Sequence, residues 1–307
     1  MGGTDPGHRP VDVATRRPTI APKIDPDAHH ESFERGRRRR PRRAPKGRQN
    51  VSRLVGDDGM AAKGSALRRL QERGFVHEIV GELKSGKEAT VYLGRSPLGH
   101  VAVKIFRDVE VRSFQRDQRY LDGRWVGDAR LAKAIRHRSG RGRRALKALW
   151  AAHEYLVLWR LWNAGLSVPE PLVGPEAFDV AEAGEVVLMR FVGDADAPAP
   201  RVSDAELDAE AAHEAFDQAT ALMAACWRSG LVHGDLSAYN LLWWQGRVVL
   251  IDFPQAMERD RPGAPELLAQ DAASLALSFR RLGVQADPDE ILRRVTADDA
   301  AEPGTLR

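Results

Sequence analysis

The sequence predicts an α+β fold in two lobes, and three observations carry the prediction. Short apolar, β-branched runs separated by glycine-bearing turns crowd the first half of the folded part. One strongly amphipathic helical stretch is inserted among them. From about residue 203 the apolar spacing becomes helical, interrupted by one hairpin.

The strand-like runs are Val76–Val80, Thr90–Leu93, Val101–Phe106 and Val186–Val192. A helix precedes them, from near Met60 through Leu67 and Leu70 to Gly74, a residue suited to a helix stop. The inserted helix covers roughly Ala145–Gly165, with Leu146, Leu149, Trp150, Leu156, Trp159 and Leu161 among its apolar positions. Its tryptophans read as packing residues. Ser203-Asp204-Ala205-Glu206 has the form of a capping box and is expected to open a long helix ending at Gly230. Leu241–Trp244 and Arg247–Ile251 flank Gln245-Gly246, a two-residue hairpin turn. Two further helices are expected over about Pro265–Leu282 and Pro288–Val295. No internal repeat is visible.

Composition limits the function classes. The chain has 307 residues, 43 % of them hydrophobic, enough to bury a core. A single cysteine, Cys226, excludes an internal disulfide and a cysteine zinc cluster, and suits a reducing cytoplasm. No apolar run reaches the ~18 residues of a spanning helix, and residues 1–20 lack a signal-peptide core. We therefore expect a cytoplasmic protein without a membrane partner. The first 50 residues hold 13 Lys and Arg against 6 Asp and Glu, a net of +7, so the remainder sums to −3. Residues 1–60, proline-rich and without apolar periodicity, read as a disordered basic tail. The run Arg37–Arg43 suits contact with phosphate backbones, hence RNA or a ribosomal subunit, or equally a solubilising arm. Residues 61–192 form the expected first lobe, with a flexible Arg-rich insert at about 107–144. Residues 193–307 form the second.

The chemistry-bearing residues begin at His233-Gly234-Asp235 and Asn240. Phosphoryl transfer needs a carboxylate to orient a hydroxyl and oxygen ligands for magnesium. Asp235 and Asn240 have the Asp-x-x-x-x-Asn spacing of protein-kinase-like phosphotransferases. Asp252 follows at the end of an apolar strand, where a carboxylate is costly unless paired or metal-bound. Singly these residues would suit turns and a helix cap. Together they read as a base (Asp235) and two metal ligands (Asn240 and Asp252). The loop holding Lys84-Ser85-Gly86-Lys87 lies between two strands and could present backbone N–H groups to phosphates. It nearly spells a Walker loop, but Glu88 replaces the required hydroxyl and a strand follows where a helix should start. Val101-Ala102-Val103-Lys104 parallels the kinase Val-Ala-Ile-Lys, so Lys104 is expected on phosphate, paired with Glu154; Glu170 and Glu176 are the other acids in range. Met189, Arg190 and Val192 are assigned to adenine contact by chain order alone. His233 reads as structural.

These residues resemble the RIO family of atypical serine/threonine protein kinases over about Leu67 to Leu282. The resemblance rests on Ser85-Gly86-Lys87-Glu88-Ala89 with Val91-Tyr92, Val103-Lys104, Phe114-Gln115-Arg116-Asp117 and Trp150 through Glu154. It continues through Leu231-Val232, His233–Ser237, Tyr239-Asn240 and Ile251-Asp252-Phe253-Pro254-Gln255. The Ser85–Ala89 loop looks like the first RIO subfamily and Asp252–Gln255 like the second. Only one helix fits between tail and Val76, which leaves no room for the second subfamily's winged-helix domain. We therefore read a bacterial-type member nearest the first. The resemblance implies a bilobal protein-kinase-like fold with a small β-rich first lobe, one key helix, and a reduced helical second lobe lacking an activation segment. It implies ATP and Mg2+ as cofactors, Asp235 as proton acceptor, Asn240 and Asp252 as magnesium ligands, and Lys104 on the phosphates. It also implies a phospho-aspartate at Asp252, hence an ATPase switch as an alternative output. A protein substrate stays undefined. Two other readings are a small-molecule kinase of the aminoglycoside or choline kinase type, which shares His-Gly-Asp and Ile-Asp-Phe, and a nucleotide-dependent RNA- or ribosome-binding module.

Overall fold

The computed structural model describes residues 61–86, 89–106, 133, 137, 139–174, 186–194 and 197–297. The basic tail, most of the Arg-rich insert with its Phe114–Asp117 motif, Lys87 and Glu176 lie outside the described residues. Among the described residues no helix is long and apolar enough to cross a membrane.

Helix α1 (Ala61–Glu72) ends at Gly74, whose φ of 77° lets the Gly74 and Phe75 amides turn back onto Gln71 and Leu70. The sheet that follows is antiparallel throughout, in the order β1 (Glu78–Ser85), β2 (Ala89–Ser96), β3 (Gly99–Phe106) and β4 (Val186–Arg190). Every residue of Val101–Phe106 is buried, as expected for an interior strand covered on both faces. Lys104 stands in that run opposite Val91 on one side and Val187 on the other.

Helix α2 (Gly140–Asn163) covers the sheet. It starts five residues before the expected Ala145, because Ser139 caps it by accepting a hydrogen bond from the Gly142 N–H. Tyr155, Leu158 and Leu161 are buried to within about 1 % exposure, whereas Leu149 and Leu156, both counted in the apolar face, are exposed at 37 % and 51 %. Seven residues is close to two helical turns, so Leu149 and Leu156 share the side opposite the packed stripe. Tyr155 fastens α2 to β4. Its hydroxyl donates to the Leu188 carbonyl at 2.9 Å and accepts from the Leu188 N–H. The chain returning from α2 pairs along the same edge, with Leu172 N–H on Leu188 and Arg190 N–H on the Glu170 carbonyl.

Strand β4 ends at Arg190, two residues before the expected Val192. The chain then turns at Gly193, where φ is 148° and a Cβ would lie 2.5 Å from the Ala197 carbonyl oxygen. Val202 N–H bonds to Leu241 and Trp243 N–H to Pro200. This pairing explains why the expected capping box fails. Ser203–Ala205 form a turn, with the Asp204 and Ala205 amides on the Arg201 carbonyl. Helix α3 (Ala209–Arg228) begins only after it, capped by Asp208 accepting from Ala211 N–H. Strands β5 (Leu231–Val232) and β8 (Met257–Glu258) pair antiparallel. Strands β6 (Leu241–Trp244) and β7 (Arg247–Leu250) form the expected hairpin, with Gln245 and Gly246 both at positive φ, as a type I′ turn requires. Helices α4 (Ala264–Arg280) and α5 (Pro288–Thr296) complete the second lobe, where Phe216 and Phe279 meet edge to face at 5.3 Å.

Tyr155→Phe removes both hydrogen bonds and leaves the Leu188 N–H buried without that partner. It should lower the unfolding free energy by about 1–3 kcal/mol, measured by urea denaturation.

Candidate active site

Burying an ammonium in an apolar strand is unfavourable unless acids surround it. Lys104 is 7 % exposed, and two elements bring acids to it. Glu154, from the middle of α2, receives its Nζ at 2.6 and 2.7 Å. Asp252, just past β7, receives it through Oδ1 at 2.6 Å. Burial alone would lower the Lys104 pKa, but the two negative charges overcome it and hold the ammonium well above its ordinary value. Burial pushes Glu154 up, opposed by Lys104 and by a hydrogen bond from the Phe253 backbone. Burial also works against charged Asp252; Lys104 overrides it and holds that carboxyl below the usual range. The competing acid, Glu170, goes elsewhere: it grips Arg190 at 2.6 and 2.8 Å.

Asp252 has φ of 77°, a left-handed conformation that is unusual for a residue with a Cβ. Such a backbone persists where its surroundings over-determine it. Here Ile251 N–H bonds to the Asn240 carbonyl at 3.0 Å, and the Ile251 carbonyl faces His233 Nε2 at 3.3 Å. These bonds place the end of β7 directly beside the loop 233–240.

That loop is shaped by backbone contacts. Asp271, buried on α4, accepts the Gly234 N–H at 2.7 Å and the Leu236 N–H at 2.8 Å through separate oxygens. His233 Nδ1 accepts from Asp235 N–H, so its proton sits on Nε2 facing Ile251. Burial lowers the His233 pKa to about 4, so the ring is neutral near pH 7. Gly234 has φ of 82°, and a Cβ there would lie 2.5 Å from the Gln255 carbonyl oxygen and 3.1 Å from Leu267. This geometry requires glycine between His233 and Asp235, where ordinary protein kinases carry arginine. Asn240 donates through Nδ2 to the Asp235 carbonyl at 2.7 Å and to its Oδ2 at 3.1 Å, which leaves Asn240 Oδ1 as the atom able to serve a cation.

The described residues contain no group of three or more His, Cys, Asp or Glu gathered for a metal. A magnesium ion does not need one: it takes one or two protein oxygens and completes its shell with substrate phosphates and water. Asn240 Oδ1 and the second oxygen of Asp252 fit that pattern.

The remaining expected contacts divide. Lys84 and Ser85 are exposed at the end of β1, and Gly86 N–H closes the loop onto the Ala89 carbonyl at 2.9 Å. Met189 lies in β4 opposite Ala102, and the Val192 carbonyl accepts from Ala199 N–H. Arg190 ends β4, and its guanidinium contacts Glu170 and the Leu98 carbonyl. Asp271 escaped the sequence reading. Its signal was present: a charged residue within the apolar stripe Leu268, Ala272, Leu275, Phe279 of α4.

Fold and site define a phosphotransferase of the protein-kinase-like class. The sequence pattern of the RIO domain matches residues 88–291. The chain is 35 % identical over 254 residues to the RIO-type serine/threonine-protein kinase Rio1 of Haloferax volcanii, covering 82 % of this chain and 79 % of that one. It is 32 % identical to the human serine/threonine-protein kinase RIO1 over 71 % of this chain but 36 % of the human protein, so it spans about a third of that relative's length. Its fold matches the Rio2 kinase of Chaetomium thermophilum, solved as an ADP/Mg2+-phosphoaspartate complex, with a TM-score of 0.57, 20 % identity, and coverage of 79 % and 71 % of the two chains. The chain belongs to the RIO family.

Burial, moderated by the two N–H bonds and reinforced by the charge of Asp235, raises the Asp271 pKa to about 7. A carboxyl whose folded pKa is raised contributes stability that is fully present below its unfolded value and lost as pH rises through the folded value. His233, whose folded pKa is depressed, has the opposite slope between about 4 and 6.5. Asp271→Asn should therefore remove a decline in unfolding free energy between pH 4 and 7, leaving a steeper rise with pH than in the parent. Urea titrations across that range check this.

Proposed function

We propose that the chain is an ATP- and magnesium-dependent serine/threonine protein kinase of RIO type in which Asp252 can also receive the phosphoryl group. The observation that carries the reading is the Lys104–Glu154–Asp252 cluster, joined through Ile251 to Asn240 and the Asp235 loop. In this reading Lys104 holds the nucleotide phosphates, while Asn240 and Asp252 hold magnesium, which supplies neutralisation of phosphate charge. Asp235, positioned by Asn240, orients a substrate hydroxyl and accepts its proton. When Asp252 is the acceptor, its carboxylate oxygen forms the new P–O bond as the bond from the γ-phosphorus to the bridging oxygen breaks. ADP leaves with the electron pair, and water later cleaves the acyl phosphate. The relative from Chaetomium thermophilum, described with a phosphoaspartate, supports this second output.

With labelled ATP and magnesium, the parent should transfer label to serine in a peptide or itself, and carry a hydroxylamine-labile fraction. Asp235→Ala should cut serine transfer by a factor of about 10²–10⁴ while retaining nucleotide affinity. Asp252→Asn should abolish the hydroxylamine-labile label and weaken magnesium-dependent nucleotide binding. A parent that transfers no label and releases no phosphate removes the reading.

The basic tail supports a further element of this proposal, contact with RNA or a ribosomal subunit. Deleting residues 1–50 should spare ATP turnover and weaken salt-sensitive RNA binding, measured by fluorescence anisotropy at two ionic strengths.

A further inference from the structure

Glu154 faces Lys104 only while α2 keeps its rotation and depth. Three side chains of α2 contact one short stretch of the second lobe, residues 252–258. Glu154 meets it through the shared Lys104 and the Phe253 N–H. His153 Nε2 donates to the Ala256 carbonyl at 2.9 Å. Arg160 donates through Nη1 to both oxygens of Glu258, at 2.9 and 2.8 Å. Residues 153 and 160 are seven apart, so they lie on one face of the helix and about 10.5 Å apart along it. His153 thus meets Ala256 and Arg160 meets Glu258.

The far end of this stretch leads back to the catalytic loop. Glu258 pairs with Leu231 in the β5–β8 ladder, and Arg259 N–H bonds to the Gly230 carbonyl. Strand β5 runs directly into His233. The Arg160 guanidinium lies against Gly230, where a Cβ would come within 2.6 Å of Nη2. Arg160 thus occupies a corner made by Gly230 and Glu258 at the root of the catalytic loop. A surface ion pair contributes little to stability unless its geometry is bidentate or networked. Here the single nitrogen Nη1 is shared between both carboxylate oxygens, and Glu258 is anchored in the β5–β8 ladder, so the effect of the pair falls on the placement of a helix.

We propose that Arg160 and Glu258, with His153, are positioning residues that lock α2 onto the segment after Asp252, holding Glu154 against Lys104 without a phosphorylated activation segment. The inference rests on the phosphotransferase reading above. The test is a double-mutant cycle of Arg160→Met, Glu258→Gln and the combined variant in the full chain. It is read by hydrogen exchange of the amides of 150–163, by kcat and KM for ATP, and by melting temperature. Each single variant should speed exchange in α2 and lower kcat about tenfold, with melting temperature and KM for ATP close to the parent. The combined variant should be no worse than the more damaged single one, because the pair acts as a unit. Unchanged exchange in both single variants overturns the proposal, as does faster exchange with parental kcat, or additive losses in the combined variant. A parent without turnover would count against the phosphotransferase reading, while the exchange comparison would still judge the lock.

Discussion

The constraint on which the structure depends is one buried positive charge. Lys104 sits in the run Val101–Phe106, which is otherwise wholly apolar, and its ammonium is buried. Its cost is offset by carboxylates from two distant places in the chain, fifty residues away on α2 and one hundred and forty-eight away past β7. Satisfying Lys104 therefore requires the sheet, the covering helix and the second lobe to be assembled together. The same requirement leaves Asp252 ionised and half exposed, with one oxygen committed and one available. A stability problem in the first lobe is solved by carboxylates from two distant elements.

The loop 233–240 follows a different logic. Its backbone is held by side chains. Asp271 takes two amides, neutral His233 takes a third, and Asn240 reaches back to the Asp235 carbonyl. Burial drives the pKa values of the two supports toward neutrality of each group, upward for the carboxyl and downward for the imidazole. The post-Asp252 segment adds rigidity from above, through β8 and its contacts with α2.

Much of this was legible in the sequence where local chemistry decides the outcome. Gln245-Gly246 specifies a turn with two positive φ values, and Val101–Phe106 reads as a buried strand without any partner being known. The spacing from Asp235 to Asn240 and on to Asp252 carries the site, because a loop and a hairpin of fixed length bring those residues together. Tertiary competition hid the rest. Ser203–Glu206 has the pattern of a helix start, but Val202 is still paired with Leu241, so the helix waits for Asp208. The sequence favours Glu154 for Lys104 but leaves Glu170 in range; the edge pairing of residues 170–172 with β4 sends Glu170 to Arg190 and away from Lys104. Asp271 is invisible to motif reading because its partners are backbone amides, which every sequence supplies.

Gly234 has a wider consequence. The chain after Asp252 folds straight over the catalytic loop, and the Gln255 carbonyl fills the space that any side chain at 234 would need. An intervening segment long enough to lift that carbonyl away would release the position to larger residues. The residue just before Asp235 is therefore a gauge of what is packed above it, and it can be read in a bare sequence. Glycine there records a short, direct return of the chain over the loop.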